Sequence, residues 1–357
     1  MLDRVERDNT MNRPAAFQRG LSTLERLQRM QWVTGFAVLG IMVTVLYSLC
    51  AQQAWLFRPA GGVVVSALLA MVLLALLQET RTVTGVHPHP LLAKSALLSF
   101  GSVVGGGLAT YVVSVDLGLG AVAASGLVGL LGAVILPQWA AAIYCGSFVG
   151  MVSPALLEGY SSVLLASVVG GVVYVLSAEA FQGFGGKLGT VAFSGTVLAG
   201  LGLGCDFIPV EVLSGPVAWQ VLLCATVAAV ITYWLSVDLG RGPVMGSSVV
   251  GLAGGLVLPA IAPEVGSLLA VVVICASFTG MTSQQRIPHH LWMTLAGMAT
   301  GIVFIYSLPV LGGAGGKLGT IAFGASMGTW AFRTLLRRIE LLPTALSGHS
   351  FPRRRID

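Results

Sequence analysis

Stretches of about 20 residues without a charged side chain recur along the whole chain, and they limit its fold more than any other feature. A helix of that length crosses roughly 30 Å of hydrocarbon. Only 9% of the 357 residues are charged, whereas a soluble domain has about 25%. Because the chain lacks the charged shell of a soluble domain, the sequence predicts an all-α polytopic membrane protein.

Apolar segments along the chain predict twelve transmembrane helices. They are expected at 30–51, 60–78, 91–113, 119–136, 138–156, 160–181, 186–204, 216–235, 245–262, 267–283, 290–311 and 316–336. Residues 1–29 form a polar cytoplasmic tail that ends in a short amphipathic helix near 21–30, and residues 339–357 form a basic cytoplasmic tail. The first two spans, within 30–80, are predicted to be an appendage to the rest.

The distribution of basic residues predicts that both termini lie in the cytoplasm. In this topology the inner loops contain Arg81, Lys94, Lys187, Arg241 and Arg286, and the outer loops contain Arg58 and Lys317. An excess of Lys and Arg on the cytoplasmic side is the usual orientation signal. We therefore expect a multi-pass protein of a bacterial inner membrane.

Three sequence blocks occur twice, in the same order. Ser-Val-Asp-Leu-Gly begins at Ser114 and again at Ser236, an offset of 122 residues. A Cys-x-Ser-Phe-x-Gly-Met-x-Ser block begins at Cys145 and Cys275, and a Gly-Gly-Lys-Leu-Gly-Thr block begins at Gly185 and Gly315, both at an offset of 130. The chain therefore contains a duplication with an eight-residue insertion in its second copy.

Each copy, 91–207 and 216–338, contains five predicted spans. Because five is odd, the second copy enters the membrane from the opposite side, which predicts an inverted repeat. The sequence leaves open whether some of its helices are broken or re-entrant. This architecture is similar to that of urea channels, ammonium channels and several sodium-coupled carriers, although none of their defining motifs is present.

The Gly-Gly-Lys-Leu-Gly-Thr blocks are the first candidate substrate site. Glycines at the start of a helix let the backbone expose its N–H groups, and the start of a helix is the positive end of its dipole. A lysine there adds a full positive charge, so the position suits an anion or a polar solute. Lys187, Lys317, Thr190 and Thr320 are the substrate-binding candidates, and the glycine-flanked lysine is similar to anion sites in chloride-channel proteins. The alternative is that each lysine anchors a helix end at the headgroups.

The Cys-x-Ser-Phe blocks are the second candidate region. Ser147 and Ser277 are expected to line the substrate path, and Phe148 and Phe278 to form a hydrophobic constriction; close helix packing through small residues is the alternative. Asp116 and Asp238 are candidates for coupling or gating, because intramembrane acids are usually functional. Their alternative role is to cap the helix that follows.

The motifs of several other functions are missing from the sequence. The five cysteines have no zinc-ligand spacing, and we expect no metal, no cofactor and no disulfide framework. His87, His89, His289 and His290 fall in predicted loops, which argues against a buried histidine relay. Neither a Walker lysine motif nor a Gly-x-Ser-x-Gly hydrolase motif is present. We therefore expect no catalytic residues and no enzymatic activity.

The leading hypothesis is an integral membrane transporter or channel for a small solute, with its pathway between the two repeats. A small anion or a compact polar molecule is the favoured solute. The expected partners of the protein are that solute or ion and membrane lipid, without nucleic acid, and homo-oligomer formation is left open. The alternative is a membrane scaffold or sensor that transports nothing. A membrane enzyme acting on lipid is a third hypothesis, which the distribution of polar groups to both ends of the repeat disfavours.

Overall fold

The computed structural model describes residues 15–80, 94–210, 213 and 215–346, with side chains described from residue 30 to residue 340 except that of Pro216. Within these ranges the chain is all-helical and contains no strand. The helices are α1 (Ala15–Phe57), α2 (Pro59–Glu79), α3 (Lys94–Tyr111), α4 (Ala121–Ile135), α5 (Ala140–Val149), α6 (Gly159–Leu176), α7 (Lys187–Gly202), α8 (Pro216–Tyr233), α9 (Pro243–Ile261), α10 (Gly266–Gly280), α11 (His290–Ser307) and α12 (Lys317–Leu346).

Seven helical segments are long and apolar enough to cross a membrane, which is compatible with a multi-pass membrane protein. They are Met30–Phe57, Pro59–Glu79, Lys94–Asp116, Gly159–Leu176, Val217–Asp238, Pro243–Ile261 and His290–Ser307. Three further apolar helices are shorter: α4 and α10 have 15 residues each and α5 has 10. At about 1.5 Å per residue, α5 is roughly 15 Å long, about half of a hydrocarbon core.

Two element boundaries differ from the sequence-based expectation. The separate amphipathic helix near 21–30 does not occur, because α1 continues unbroken from Ala15 to Phe57; no proline or glycine interrupts 21–34. The span expected at 138–156 ends early, since α5 stops at Val149. Gly150 follows it directly, and Pro154 further along disfavours a helical conformation for its predecessor.

The repeated blocks adopt the same local backbone in the first half, residues 94–207, and in the second half, residues 216–338. α3 and α8 each end in one π-helical turn, Val112–Asp116 and Trp234–Asp238. The eight extra residues of the second half lengthen two helices. α9 continues four residues past the equivalent of Ile135, and α10 begins four residues before the equivalent of Ala140.

The same pairs of helices pack together in each half. In the first half α3 packs on α5 and α6, α4 on α5, and α7 on both α5 and α6; in the second half α8 to α12 pack in the same way. The halves contact each other mainly through α4 against α9 and α7 against α12. α1 and α2 pack on each other, and α2 packs on α12. These four helices therefore form most of the interface between the halves.

Glycines allow α4 and α9 to approach each other closely. A Cβ atom at Gly126 would lie 2.6 Å from the backbone nitrogen of Leu252, and one at Gly255 would lie 2.9 Å from that of Ala123. Small residues permit such backbone approach wherever helices associate in an apolar environment. Side chains from the next helices, α5 and α10, therefore reach the same interface.

Candidate functional site

The two Gly-Gly-Lys-Leu-Gly-Thr blocks meet at the centre of the interface. Gly186 and Gly316 precede α7 and α12 with φ of 82° and 81°, a conformation that glycine adopts without steric cost. A Cβ atom at Gly189 would overlap the Cα atom of Gly319, and the reverse is also true. The first turns of α7 and α12 are therefore in direct backbone contact.

These two turns pass each other in opposite directions. Gly186, which precedes α7, lies against the backbone of Phe323 in the second turn of α12. Gly316, which precedes α12, lies in the same way against the backbone of Phe193 in α7. Because each glycine touches the seventh residue of the opposite helix, the two helix starts overlap by about two turns.

The lysines of these blocks bind backbone carbonyls. Lys187 Nζ donates a hydrogen bond to Ala178 O at 2.8 Å, and Lys317 Nζ donates to Ser307 O at 3.0 Å and Val310 O at 2.9 Å. The acceptors lie at or just after the ends of α6 and α11, where helix carbonyls carry partial negative charge. Each lysine thus ties the start of its own helix to the end of the preceding one.

The threonines of these blocks bond within their own helices. Thr190 Oγ1 donates to Gly186 O at 3.3 Å, and Thr320 Oγ1 donates to Gly316 O at 3.5 Å. Both threonines are fully buried. In this structure the two hydroxyl protons are directed to the backbone of the helix start.

Ser147 and Ser277 belong to matching hydroxyl pairs. Ser147 Oγ lies 2.8 Å from Ser125 Oγ, and Ser277 Oγ lies 2.8 Å from Ser247 Oγ. Each also donates to a carbonyl of its own helix, Ser147 to Tyr144 O and Ser277 to Ile274 O, at 2.8 Å. Because a hydroxyl has one proton, Ser125 and Ser247 must be the donors within the two pairs.

Tyr144, which the sequence did not single out, contacts both pairs: its backbone carbonyl accepts from Ser147, and its hydroxyl reaches the second pair across the interface. Its hydroxyl lies 2.9 Å from Ser247 Oγ and must donate to it, since the Ser247 proton is directed to Ser277. We call Ser125, Ser147, Tyr144, Ser247 and Ser277 the hydroxyl chain. Comparison of the repeats could not detect Tyr144, because its equivalent in the second half is Ile274.

Phe148 and Phe278 pack beside the hydroxyl chain. Their ring centroids are 4.4 Å apart, and each side chain is 1% exposed. The ring of Tyr144 lies 4.3 Å from that of Phe148 and 6.1 Å from that of Phe278. The structure thus brings together the two phenylalanines that the sequence predicted to form a constriction.

Five buried hydroxyls lack a hydrogen-bond partner within the described part of the chain: Thr110, Ser167, Thr232, Ser248 and Ser283. Ser248 lies nearest to the hydroxyl chain, because a Cβ atom at Gly129 would meet both its Oγ and the ring of Tyr144. A buried hydroxyl without a partner is costly, particularly in an apolar environment. Ser248 lies beside Tyr144 at the interface.

Asp116 and Asp238 bond to side chains other than the two lysines. Tyr160 donates a hydrogen bond to Asp116 Oδ2, and His290 Nε2 lies 2.9 Å from Asp238 Oδ2. Tyr160 and His290 are equivalent positions at an offset of 130. His290, expected in a loop, is the first residue of α11, and the side chains of this pair are 50% and 37% exposed. His87 and His89 lie outside the described residues.

Backbone hydrogen bonds tie each glycine-rich loop to the opposite half. Ser153 N donates to Gly313 O and Ser283 N donates to Gly183 O, both at 2.9 Å. Thr196 Oγ1 in α7 adds a bond to Gly315 O at 2.7 Å. The two serines are the last residues of the repeated Cys-x-Ser-Phe blocks, so this cross-connection could have been suspected from their recurrence.

No group of three or more His, Cys, Asp and Glu side chains within residues 15–80, 94–210 and 215–346 is arranged to hold a metal ion. The site consists of hydroxyls, aromatic rings and carbonyl-bound lysines. Comparisons of the chain with protein-family models, curated proteins and solved structures find no significant match.

Proposed function

We propose that this protein is a membrane transporter or channel for a small polar solute, whose pathway follows the hydroxyl chain between α4 and α5 on one side and α9 and α10 on the other. The observation that carries the proposal is the bond from Tyr144 to Ser247, which joins a hydroxyl of the first half to a hydroxyl of the second. Pathways between two repeats are common among transporters.

The hydrogen bonds of the hydroxyl chain contribute less to the stability of the fold than apolar side chains packed at the same positions would. Hydrogen bonds between helix side chains in membranes contribute about 0.6 kcal/mol on average, and a neutral hydrogen bond in a soluble protein about 1 kcal/mol. Five hydroxyls directed to one interface, in a chain whose residues are 55% hydrophobic, are better explained as partners for a polar solute.

The chemistry of the hydroxyl chain favours a compact uncharged solute over an anion. Lys187 and Lys317, the cations nearest to the helix starts, already bind carbonyl oxygens at 2.8 to 3.0 Å. An anion at the site would have to draw an ammonium group away from those partners. Hydroxyls both donate and accept hydrogen bonds, and they suit a solute that does the same.

Phe148 and Phe278 would act as the gate of this pathway. With centroids 4.4 Å apart, their rings leave no room for a solute between them. Transport then requires the rings to change rotamer or the two halves to move relative to each other, as in the rocking of transporter repeats. The structure would correspond to the closed state of the pathway.

We also propose the finer architecture expected from the sequence, with twelve spans, two five-span repeats of opposite orientation, and both termini on the cytoplasmic side of a bacterial inner membrane. The opposed first turns of α7 and α12 support the opposite orientation. The short helices α5 and α7, of 10 and 16 residues, support spans that are completed by neighbouring segments.

Solute flux into proteoliposomes tests the proposal. Light scattering after mixing with urea, glycerol or other neutral solutes, and an anion-sensitive dye for anions, give the substrate class. We expect Ser247→Ala and Tyr144→Phe to reduce flux of a neutral solute at least fivefold, while Ser161→Ala, at an exposed serine of α6, leaves it unchanged. Folded protein without flux for any solute would favour the scaffold alternative.

A further inference from the structure

The two glycine-rich loops, the first loop at 178–186 and the second loop at 308–316, each hold a large residue in the left-handed region of φ. Phe181 has a φ of 54° and Leu311 a φ of 46°, and the two positions are equivalent at an offset of 130. In the described ranges every other residue with a positive φ is a glycine. This conformation is unfavourable for a residue with a Cβ atom, and such residues cluster in segments that switch conformation. Both loops are therefore strained at the same place.

Each loop packs against the backbone of a constriction phenylalanine in the opposite half. A Cβ atom at Gly185 in the first loop would overlap the carbonyl oxygen of Phe278, and one at Gly315 in the second loop would lie 2.5 Å from that of Phe148. Gly185 N also donates a hydrogen bond to Thr282 Oγ1, just after α10, at 3.0 Å. Movement of a loop therefore removes the support of one phenylalanine of the proposed gate.

Arg286 fastens the first loop to α2. Its Nε donates a hydrogen bond to Gln182 O at 3.0 Å, and its guanidinium lies over the ring of Phe184. Both Nη atoms bind the carboxylate of Glu79, the last residue of α2. One side chain thus connects the first loop with a helix that belongs to neither half.

The second loop is held at the equivalent carbonyl by a backbone bond instead. Gly312 is the equivalent of Gln182, and its carbonyl accepts a hydrogen bond from Ile208 N at 3.1 Å. The equivalent of Arg286 is Leu156, whose side chain has no hydrogen-bonding group. The same point of each loop is therefore bound differently: by a charged side chain in the first loop and by the main chain in the second.

We propose that the ion pair between Arg286 and Glu79 is a latch on one end of the solute pathway, and that α2 is a gating element. While the pair is intact, Arg286 holds the first loop in its strained conformation, and the loop supports Phe278. When the pair opens, Phe181 leaves the left-handed region and the loop withdraws from the end of α10. The effect on solute flux rests on the proposed function, whereas the latch on the loop does not.

Hydrogen–deuterium exchange of the purified full-length chain in detergent tests the latch, because amides exchange when their segment opens. In the double variant Glu79→Met with Arg286→Met, we expect the amides of the first loop to exchange at least tenfold faster than in the wild type. Glu79→Gln removes only the charge that holds Arg286, and we expect at least a threefold increase. The second loop is the internal reference, and its exchange should not change. Glu264→Gln, at an exposed acid, is the matched control.

Solute flux in proteoliposomes then tests the gating role. We expect the double variant and Glu79→Gln to raise flux severalfold per folded molecule, because the loop that supports the proposed gate is released. The control variant should transport as the wild type does.

Unchanged exchange of the first loop in both variants would overturn the latch, and so would an equal increase in both loops, which indicates general destabilisation. Faster exchange confined to the first loop, with unchanged flux in a protein that transports, would overturn the gating role. Absence of flux in the wild type would instead contradict the proposed function alone, since exchange reports on the latch without any solute.

Discussion

Arg286 forms a two-point ion pair with Glu79: Nη1 lies 2.9 Å from Oε2 and Nη2 lies 2.7 Å from Oε1. The pair is mostly buried, with side chains 19% and 7% exposed. The guanidinium also lies 4.1 Å from the centroid of Phe184 and 5.2 Å from that of Trp330. Arg286 therefore connects the end of α2 with a glycine-rich loop of the first half and with α12.

We expect Arg286→Met to lower the free energy of unfolding by roughly 3 kcal/mol, because it removes the guanidinium that pairs with a buried carboxylate. The double variant Glu79→Met with Arg286→Met should recover much of this loss, since both charges of the pair are removed together. Thermal unfolding in detergent measures both. Arg241→Met, which changes an exposed arginine, is the control. Equal destabilisation by Arg286→Met and the control would show that the ion pair contributes little.

The contact between Gly189 and Gly319 predicts that a residue larger than glycine destabilises the protein at either position. A methyl group at either position overlaps the opposite backbone, and overpacking of this kind costs about 1–3 kcal/mol. We expect Gly189→Ala and Gly319→Ala to reduce the thermal midpoint and the yield of folded protein. Gly202→Ala, in the same helix as Gly189 but with no atom near its added Cβ, should be neutral or slightly stabilising. Tolerance of both central substitutions would contradict the close contact of α7 and α12.

The phenylalanine pair predicts a gain of flux. Phe148→Ala and Phe278→Ala should each raise solute flux severalfold, because they widen the gap between rings whose centroids lie 4.4 Å apart. Each removes a fully buried ring, so stability should fall by about 3–5 kcal/mol, and flux is compared per folded molecule. Phe332→Ala, at a ring that is 42% exposed, is the matched control. Unchanged flux in both central variants would argue against a gate at this position.

The two lysines are expected to differ in their contribution to stability. Lys317 is 9% exposed and binds two carbonyls, whereas Lys187 is half-buried and binds one. An unsatisfied buried acceptor costs about 1–3 kcal/mol, so Lys317→Met should destabilise the protein more than Lys187→Met. The difference between the two thermal midpoints is the measurement. Loss of flux in a folded, stable lysine variant would instead support a solute-binding role.

We expect position 290 to tolerate tyrosine, the residue at its equivalent position, 160, in the first half. His290 bonds to Asp238 as Tyr160 does to Asp116. His290→Tyr should therefore keep the thermal midpoint within about 1 °C, while His290→Ala should lower it slightly, because partly exposed pairs of this kind contribute about 1 kcal/mol or less. An equal loss in both variants would show that the tyrosine cannot replace the histidine.

Much of the fold could be predicted from particular residues. Long uncharged segments predicted helices at twelve places, and twelve helices occur in the described chain. The recurrence of Ser-Val-Asp-Leu-Gly anticipated that residues 112–116 and 234–238 would share a conformation, and both form a π-helical turn. Local sequence is sufficient for such features, because helix formation and its interruption by glycine depend on near neighbours.

The partners of the candidate residues depended on the tertiary structure. Sequence alone identified Lys187, Lys317, Ser147 and Ser277, but it left open whether the lysines bind a solute, the aspartates or the backbone. In the structure they bind carbonyls, and the aspartates bind Tyr160 and His290.

Tyr144 shows the physical limit of the repeat comparison. Duplicated sequence identifies what both halves retain, and Tyr144 differs from its equivalent, Ile274. Its hydroxyl meets Ser247, a residue 103 positions away, only because glycines let α4 approach α9. The sequence by itself determined the helices, the recurrence of the three blocks and the residue types at the interface. Which side chains meet there was decided by helix packing, since contacts between distant segments depend on the position of every intervening element.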